Sequence, residues 1–282
     1  ELTMETGSVP AKDPFSFTRE GKRWIDQEWL SGIIFHLTEK RFGFEGLSLL
    51  SVVLGASLCS ILFLAFFYSS GSLEISMIFC AAAIFLSAFR LQLMRPEMFG
   101  FIFFASFLTV LSKNKKPAIK SLAYLIPLQI LWTNMHGSTL LGPVLAFFMI
   151  EGISKKIIFV ALLLTAAATS PFGTDAITFP ASHMLSGFTM GNVSDWKRPA
   201  ISLSHVDIPA IGAIALALVA AFLAITKRKF DIGLIVISSA SLFAGMRSAR
   251  FLPFAIISSL FLISSTYKKN EHKPSILKIP LI

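Results

Sequence analysis

Charge is scarce in this sequence. Asp, Glu, Lys and Arg make up 15% of its 282 residues, where a soluble domain carries about 25%. A solvated globular surface is therefore excluded. Cysteine is almost missing as well. Cys59 and Cys80 are the only two, and both fall inside apolar runs, which argues for packing residues and against a disulfide scaffold or a cysteine metal site. There is no signal-peptide pattern ahead of the polar segment that opens at Glu1. Internal repeats and low-complexity tracts are missing too.

What is abundant is hydrocarbon. The chain is 54% hydrophobic with 28 Phe and a mean hydropathy of +0.72. Nine apolar segments recur at about 47–68, 73–89, 97–112, 119–133, 138–150, 156–169, 209–226, 231–246 and 250–267. They recur too closely for a globular core, so the expected fold is all-α, a polytopic membrane helix bundle. Several are shorter than the roughly 20 residues that span a hydrocarbon core, and their flanks must supply the missing turns. Segments rich in Ala, Ser and Gly, such as 161–169 and 237–245, suit close helix packing.

Three regions follow. Residues 1–46 are a polar, turn-rich loop, and from Trp24 onward they carry an amphipathic helix suited to the membrane interface. On a helix beginning there, Asp26 and Glu28 would sit about 200° apart and could not face one site. Residues 47–267 form the bundle, and 268–282 a tail. A longer loop, 170–208, interrupts the hairpins.

Lys and Arg set the orientation, because they concentrate on the cytoplasmic side of short loops. Thirteen lie in alternate connections, at 113–120, 155–156, 227–229 and 268–278, against four acids (Glu74, Glu151, Asp231 and Glu271). The other face holds twelve of each sign. The net charge of +9 is thus a topology signal and no nucleic-acid footprint. The C-terminus is expected in the cytoplasm and residues 1–46 outside, with a further membrane helix expected upstream of Glu1.

The outer face then gathers the polar residues that an apolar bundle does not need. They are Asp26, Glu28, Arg90, Arg95, Asn134, His136, the 170–208 loop, Arg247 and Arg250. Four arginines suit a phosphate or pyrophosphate through paired hydrogen bonds, although Arg90 and Arg95 could equally snorkel to headgroups. Asp26 or Glu28 offers a carboxylate able to accept a proton. His136 could share that work, hold a metal ion, or simply pack. Asp195 and Trp196 pair an acid with an indole, as sugar sites often do.

Six stretches occur in order: Trp24–Ser31 (WIDQEWLS), Arg95-Pro96, Leu131–Gly137 (LWTNMHG), Ser170–Gly173 (SPFG), Asp195-Trp196 before Pro199, and Arg247 with Arg250–Pro253 (RFLP). In this the chain resembles multi-spanning bacterial membrane proteins grouped with the GT-C-fold glycosyltransferases of the lipid-linked-sugar kind, which include the dolichyl-phosphate-mannose-dependent transferases. Two positions depart from that pattern, Ser170 where Asn is usual and Asp195 where Glu is usual. The resemblance implies a GT-C-like bundle in the inner (plasma) membrane, in contact with membrane lipid. It implies a transferase that moves a sugar from a polyprenyl-phosphate donor to an acceptor on the outer side. Glu28, with Asp26, would position or activate the acceptor. Arg247 and Arg250 would hold the lipid phosphate, with Arg95, Asn134, His136, Asp195 and Trp196 shaping the rest. In that family a catalytic aspartate ends a helix before the first outer loop, and here it would lie upstream of Glu1. Dependence on a divalent metal ion stays open. The alternative is a transporter or flippase of lipid-linked precursors, though inverted repeats and midplane polar residues, which such carriers often show, are not visible.

Cysteines introduced within 113–118 and within 190–195 test the orientation. A membrane-impermeant thiol reagent added to intact cells should label the second set and spare the first. Labelling of the first set would reverse the topology.

Overall fold

The computed structural model describes residues 1–113, 120–185, 196–202, 205–228 and 231–267. Among these the regular elements are helices apart from an antiparallel pair of two-residue strands, Ile201–Ser202 with His205–Val206. The helices are α1 (Leu2–Thr6), α2 (Trp29–Ser70), α3 (Leu73–Leu91), α4 (Glu97–Lys113), α5 (Lys120–Met135), α6 (Leu141–Met149), α7 (Ile153–Ala167), α8 (Asp175–Leu185), α9 (Ile208–Thr226), α10 (Ile232–Arg247) and α11 (Leu252–Thr266). Short 3₁₀ turns, Gly137–Leu140 and Ala249–Phe251, lead into α6 and α11. Over its described residues, each of the nine apolar segments is mostly helical. Four helices are long and apolar enough to cross a membrane: Trp29–Ser70, Leu73–Leu91, Ile208–Thr226 and Ala249–Thr266. The C-terminal segment 268–282 lies outside the described residues.

The last of these four is the post of the bundle. Of Ala249–Thr266, 78% is buried, against 22–28% for the other three. It is the least hydropathic of the four, at 1.5 against 1.8–2.6, and its serines let neighbours come close. Ser259 shares a 2.7 Å hydrogen bond with Ser238 of α10. Phe254 takes the edges of Phe101 and Phe104 from α4 at centroid distances of 5.0 and 5.1 Å. α2, α3 and α9 pack around the same post.

At its N-terminus α2 departs from expectation. It begins at Trp29 rather than Trp24, so Asp26 and Glu28 precede the helix and the 200° argument does not apply to them. Asp26 folds back to accept the Glu28 backbone N–H at 3.0 Å, a local side-chain bond that competes with helix formation. The helix continues past residue 46 as two segments joined at Gly43, whose φ of 63° is non-helical and favours glycine. Before the kink, Leu30, Ile34 and Phe35 pack on the core, and Ser31 donates to the Met135 carbonyl at 2.7 Å. Gly32, by contrast, meets only open space.

The helix ends sort into two groups. Polar contacts tie together the start of α2, the α3–α4 turn, the α5–α6 turn, the start of α8 and the α10–α11 turn. The opposite end carries Lys227, whose ammonium sits 3.6 Å from the Tyr267 ring centre, and Lys156 over Phe147. All the described outer-face candidates thus share one end of the bundle.

Helix α10 starts hard against α6. A Cβ at Gly233 would lie 2.1 Å from the Phe148 carbonyl oxygen, whereas one at Gly55 would meet nothing within 4 Å. Backbone cannot yield as a flexible side chain does. Gly233→Ala should therefore destabilise the protein by roughly 1–3 kcal/mol, while Gly55→Ala should leave it unchanged or slightly more stable. Unfolding of the two variants in the same detergent compares them.

Candidate functional site

The site is built on a shared carboxylate. Arg90 closes α3 and Glu97 opens α4, positions at which the helix dipoles favour a cation and an anion respectively. The two form a paired ion contact, with Arg90 Nε donating to Glu97 Oε2 at 2.9 Å and Nη2 to Oε1 at 2.5 Å. Arg250 Nη2, arriving from the α10–α11 turn, donates to Glu97 Oε1 at 2.8 Å. Glu97 and Arg90 are both buried. Glu97 is thus shared by two guanidinium groups. The Arg250 guanidinium also lies 4.6 Å from the Trp196 ring centre, and Phe251 presses edge-on against the same indole at 5.8 Å.

In front of Arg250 opens a cavity of about 260 Å³. Its polar wall is Asp26, Gln27, Glu28, His136, Ser138 and Arg250, and its apolar wall includes Trp24, Phe179, Trp196 and Phe251. Glu28 caps α2 and keeps 39% of its side chain exposed to this space. Burial raises its carboxyl to about 7. Arg250 opposes that shift, Glu97 and Asp26 add to it, and Arg95 opposes it. Burial also raises Asp26, against the backbone N–H of Glu28. Across the cavity His136 Nε2 stands 3.6 Å from Glu28 Oε1. Burial first, then Arg250 and Arg90, push this imidazole well below its ordinary value, so it stays neutral.

Around His136 the backbone is pinned. Asn134 Oδ1 accepts the Trp29 indole N–H at 2.8 Å, and its amide donates to the Ile130 carbonyl at 2.7 Å. Gly100 lets α4 pass beside the ring, since a Cβ there would lie 2.7 Å from His136 Nδ1. The loop ahead of the cavity is held by Arg23, which pairs with Asp175 at the start of α8.

The expected site residues divide. Asp26, Glu28, His136, Trp196 and Arg250 line the cavity. Arg95 is half-buried and acts on Glu28 through its charge. Asn134 is buried and holds the wall in place without lining the cavity. Arg247 ends α10 exposed and lies outside the lining; the 3₁₀ turn that follows carries Arg250 inward. Asp195 lies outside the described residues. Trp196 offers a face to a guanidinium rather than standing free for a sugar ring. Arg90 pairs internally and does not snorkel. Glu97 went unnoticed in the sequence, although an acid directly after Arg95-Pro96 at the head of an apolar segment was a usable signal. Among the described residues, no group of three His, Cys, Asp or Glu side chains is placed to hold a metal ion.

No family model matches this chain, and neither a curated protein nor a solved structure does.

Glu97 gives the sharpest stability prediction. Glu97→Gln keeps the shape but removes the negative charge that both guanidinium groups contact. A loss of roughly 3–5 kcal/mol is expected, read from denaturant unfolding of the purified protein against the parent. A change within about 0.5 kcal/mol, the usual range for a surface substitution, would show that the pair is not the linchpin described.

Proposed function

We propose that this protein is a membrane glycosyltransferase, which moves a sugar from a polyprenyl-phosphate donor to a hydroxyl acceptor at the outer face of the plasma membrane. The chain would sit in the inner membrane as a GT-C-like bundle with its C-terminus in the cytoplasm. One observation carries this reading. A carboxyl poised near neutrality and an arginine held by Glu97 line one cavity of about 260 Å³ at one end of an apolar bundle. The ordered motifs of the sequence support the same reading.

The chemistry assigned to each residue follows from charge. As the bond between the anomeric carbon and the phosphate oxygen breaks, its electron pair goes to the phosphate. Arg250 stabilises that negative charge, held rigid by Glu97 and Trp196, because a preorganised donor does not need to reorganise during the reaction. The acceptor oxygen bonds to the anomeric carbon and gives its proton to Glu28. Asp26 orders the Glu28 backbone, and the burial that raises Glu28 makes it a stronger base once ionised.

The sign of the pH dependence is fixed. Protonated Glu28 cannot accept a proton, so turnover should rise as pH climbs through about 7. Glu28→Gln should be nearly inactive at every pH. Arg250→Lys keeps the charge but loses the planar fork, and a fall of about 10²–10³ in rate is expected. The assay is consumption of a polyprenyl-phosphate-linked sugar by the purified protein in lipid vesicles. Parental turnover in both variants would remove both roles. A donor that binds and is never consumed would move the protein to the transporter reading.

A further inference from the structure

Which ring nitrogen of His136 carries the proton is decided by its neighbours. The backbone N–H of Ser138 donates to Nδ1 at 3.2 Å. A backbone N–H has no lone pair to offer, so Nδ1 must be the accepting nitrogen. The Ser138 hydroxyl lies 2.7 Å from the same Nδ1. Trp132 Nε1, which can only donate, gives its hydrogen to Ser138 Oγ at 3.0 Å. That contact occupies one oxygen lone pair and leaves the hydroxyl hydrogen for Nδ1. Trp132 itself is fully buried, against Phe103 and Phe107, so this donor cannot swing away. The glycine at position 100 leaves the space in which Ser138 and the ring meet, since a Cβ there would lie 2.9 Å from Ser138 Oγ.

The neutral ring therefore carries its hydrogen on Nε2, facing Glu28. The 3.6 Å gap to Glu28 Oε1 is too long for a direct hydrogen bond. Both groups line the same cavity, so a hydroxyl seated in it can accept from Nε2–H and donate to the carboxylate. We infer that His136 and Glu28 form a hydroxyl-binding pair, with Trp132 and Ser138 as the relay that locks the His136 proton on Nε2. The charged groups that act on this pair are Arg250, Glu97, Asp26, Arg95 and Arg90, and Gln27 and Ser138 line the same cavity. On the functional reading above, that hydroxyl would belong to the acceptor, so His136 would bind it and Glu28 would take its proton. The lock itself does not depend on that reading.

Nitrogen-15 NMR of the full chain in nanodiscs, labelled at histidine, tests it. The His136 signals are identified by their loss in His136→Gln. Nδ1 should resonate as an unprotonated ring nitrogen and Nε2 as a protonated one. A protonated Nδ1 overturns the lock. Glycerol is the hydroxyl probe, added above the Glu28 value of about 7. It should shift the Nε2 signal saturably in the parent. In Glu28→Gln its apparent affinity should fall roughly tenfold or more, as expected when a charge-assisted hydrogen bond is lost. No shift in the parent, or an equal shift in the variant, overturns the pair. Failure of donor consumption alone would leave both results standing and would count only against the transferase reading.

Discussion

A single carboxylate between two guanidinium groups holds this end of the molecule together. Burying Glu97 alone in an apolar bundle would cost several kcal/mol, and burying Arg90 or Arg250 alone would cost as much. Pairing offsets that cost. The consequence is geometric. Arg90 ends α3, Glu97 starts α4 and Arg250 precedes α11, so the ion cluster clamps three helices at one level. It also fixes Arg250 against Trp196 and sets the field in which Glu28 titrates.

Against that clamp stand softer constraints. The α2 segment before Gly43 lies over the bundle end by apolar packing and two hydrogen bonds, Ser31 to Met135 and Trp29 to Asn134. Those contacts place Glu28 opposite His136, and they are neutral bonds worth about 1 kcal/mol each. The cavity thus has one rigid wall, built on buried charge, and one lighter wall, built on a kinked helix and a loop. An arrangement of that kind suits a site that must admit a large ligand without losing the geometry of its charged side.

The helices were readable along the chain because each depends on its own residues. Runs such as 209–226 and 250–267 are apolar enough to announce themselves, and Pro96 and Pro253 lie close to the starts of α4 and α11. Start points that depend on a side-chain bond were less readable. Asp26 takes the Glu28 N–H and delays the helix to Trp29, a choice that helix periodicity does not encode. Common sidedness could be inferred from the alternation of apolar runs, and it brought Glu28, His136 and Arg250 to one end. The identity of the last helix as the buried post was not readable, because it is less apolar than α9, with a mean hydropathy of 1.5 against 2.6. Only its neighbours mark it as buried.

Partnership is where local pattern stops. The sequence carried the membrane helix bundle, the clustering of Lys and Arg in alternate turns and most of the polar residues of the cavity, since hydrophobicity and charge are properties of short stretches. The tertiary structure decided that Arg250 turns inward while Arg247, three residues earlier, stays exposed. It also decided that Glu97 bridges two arginines, and that Ser138 leaves the His136 proton facing Glu28. Each of those outcomes depends on distances between residues far apart in the chain, such as 97 and 250 or 28 and 136. In a low-dielectric interior an ångström or two separates a paired charge from a prohibitive one, and that distance is set by packing.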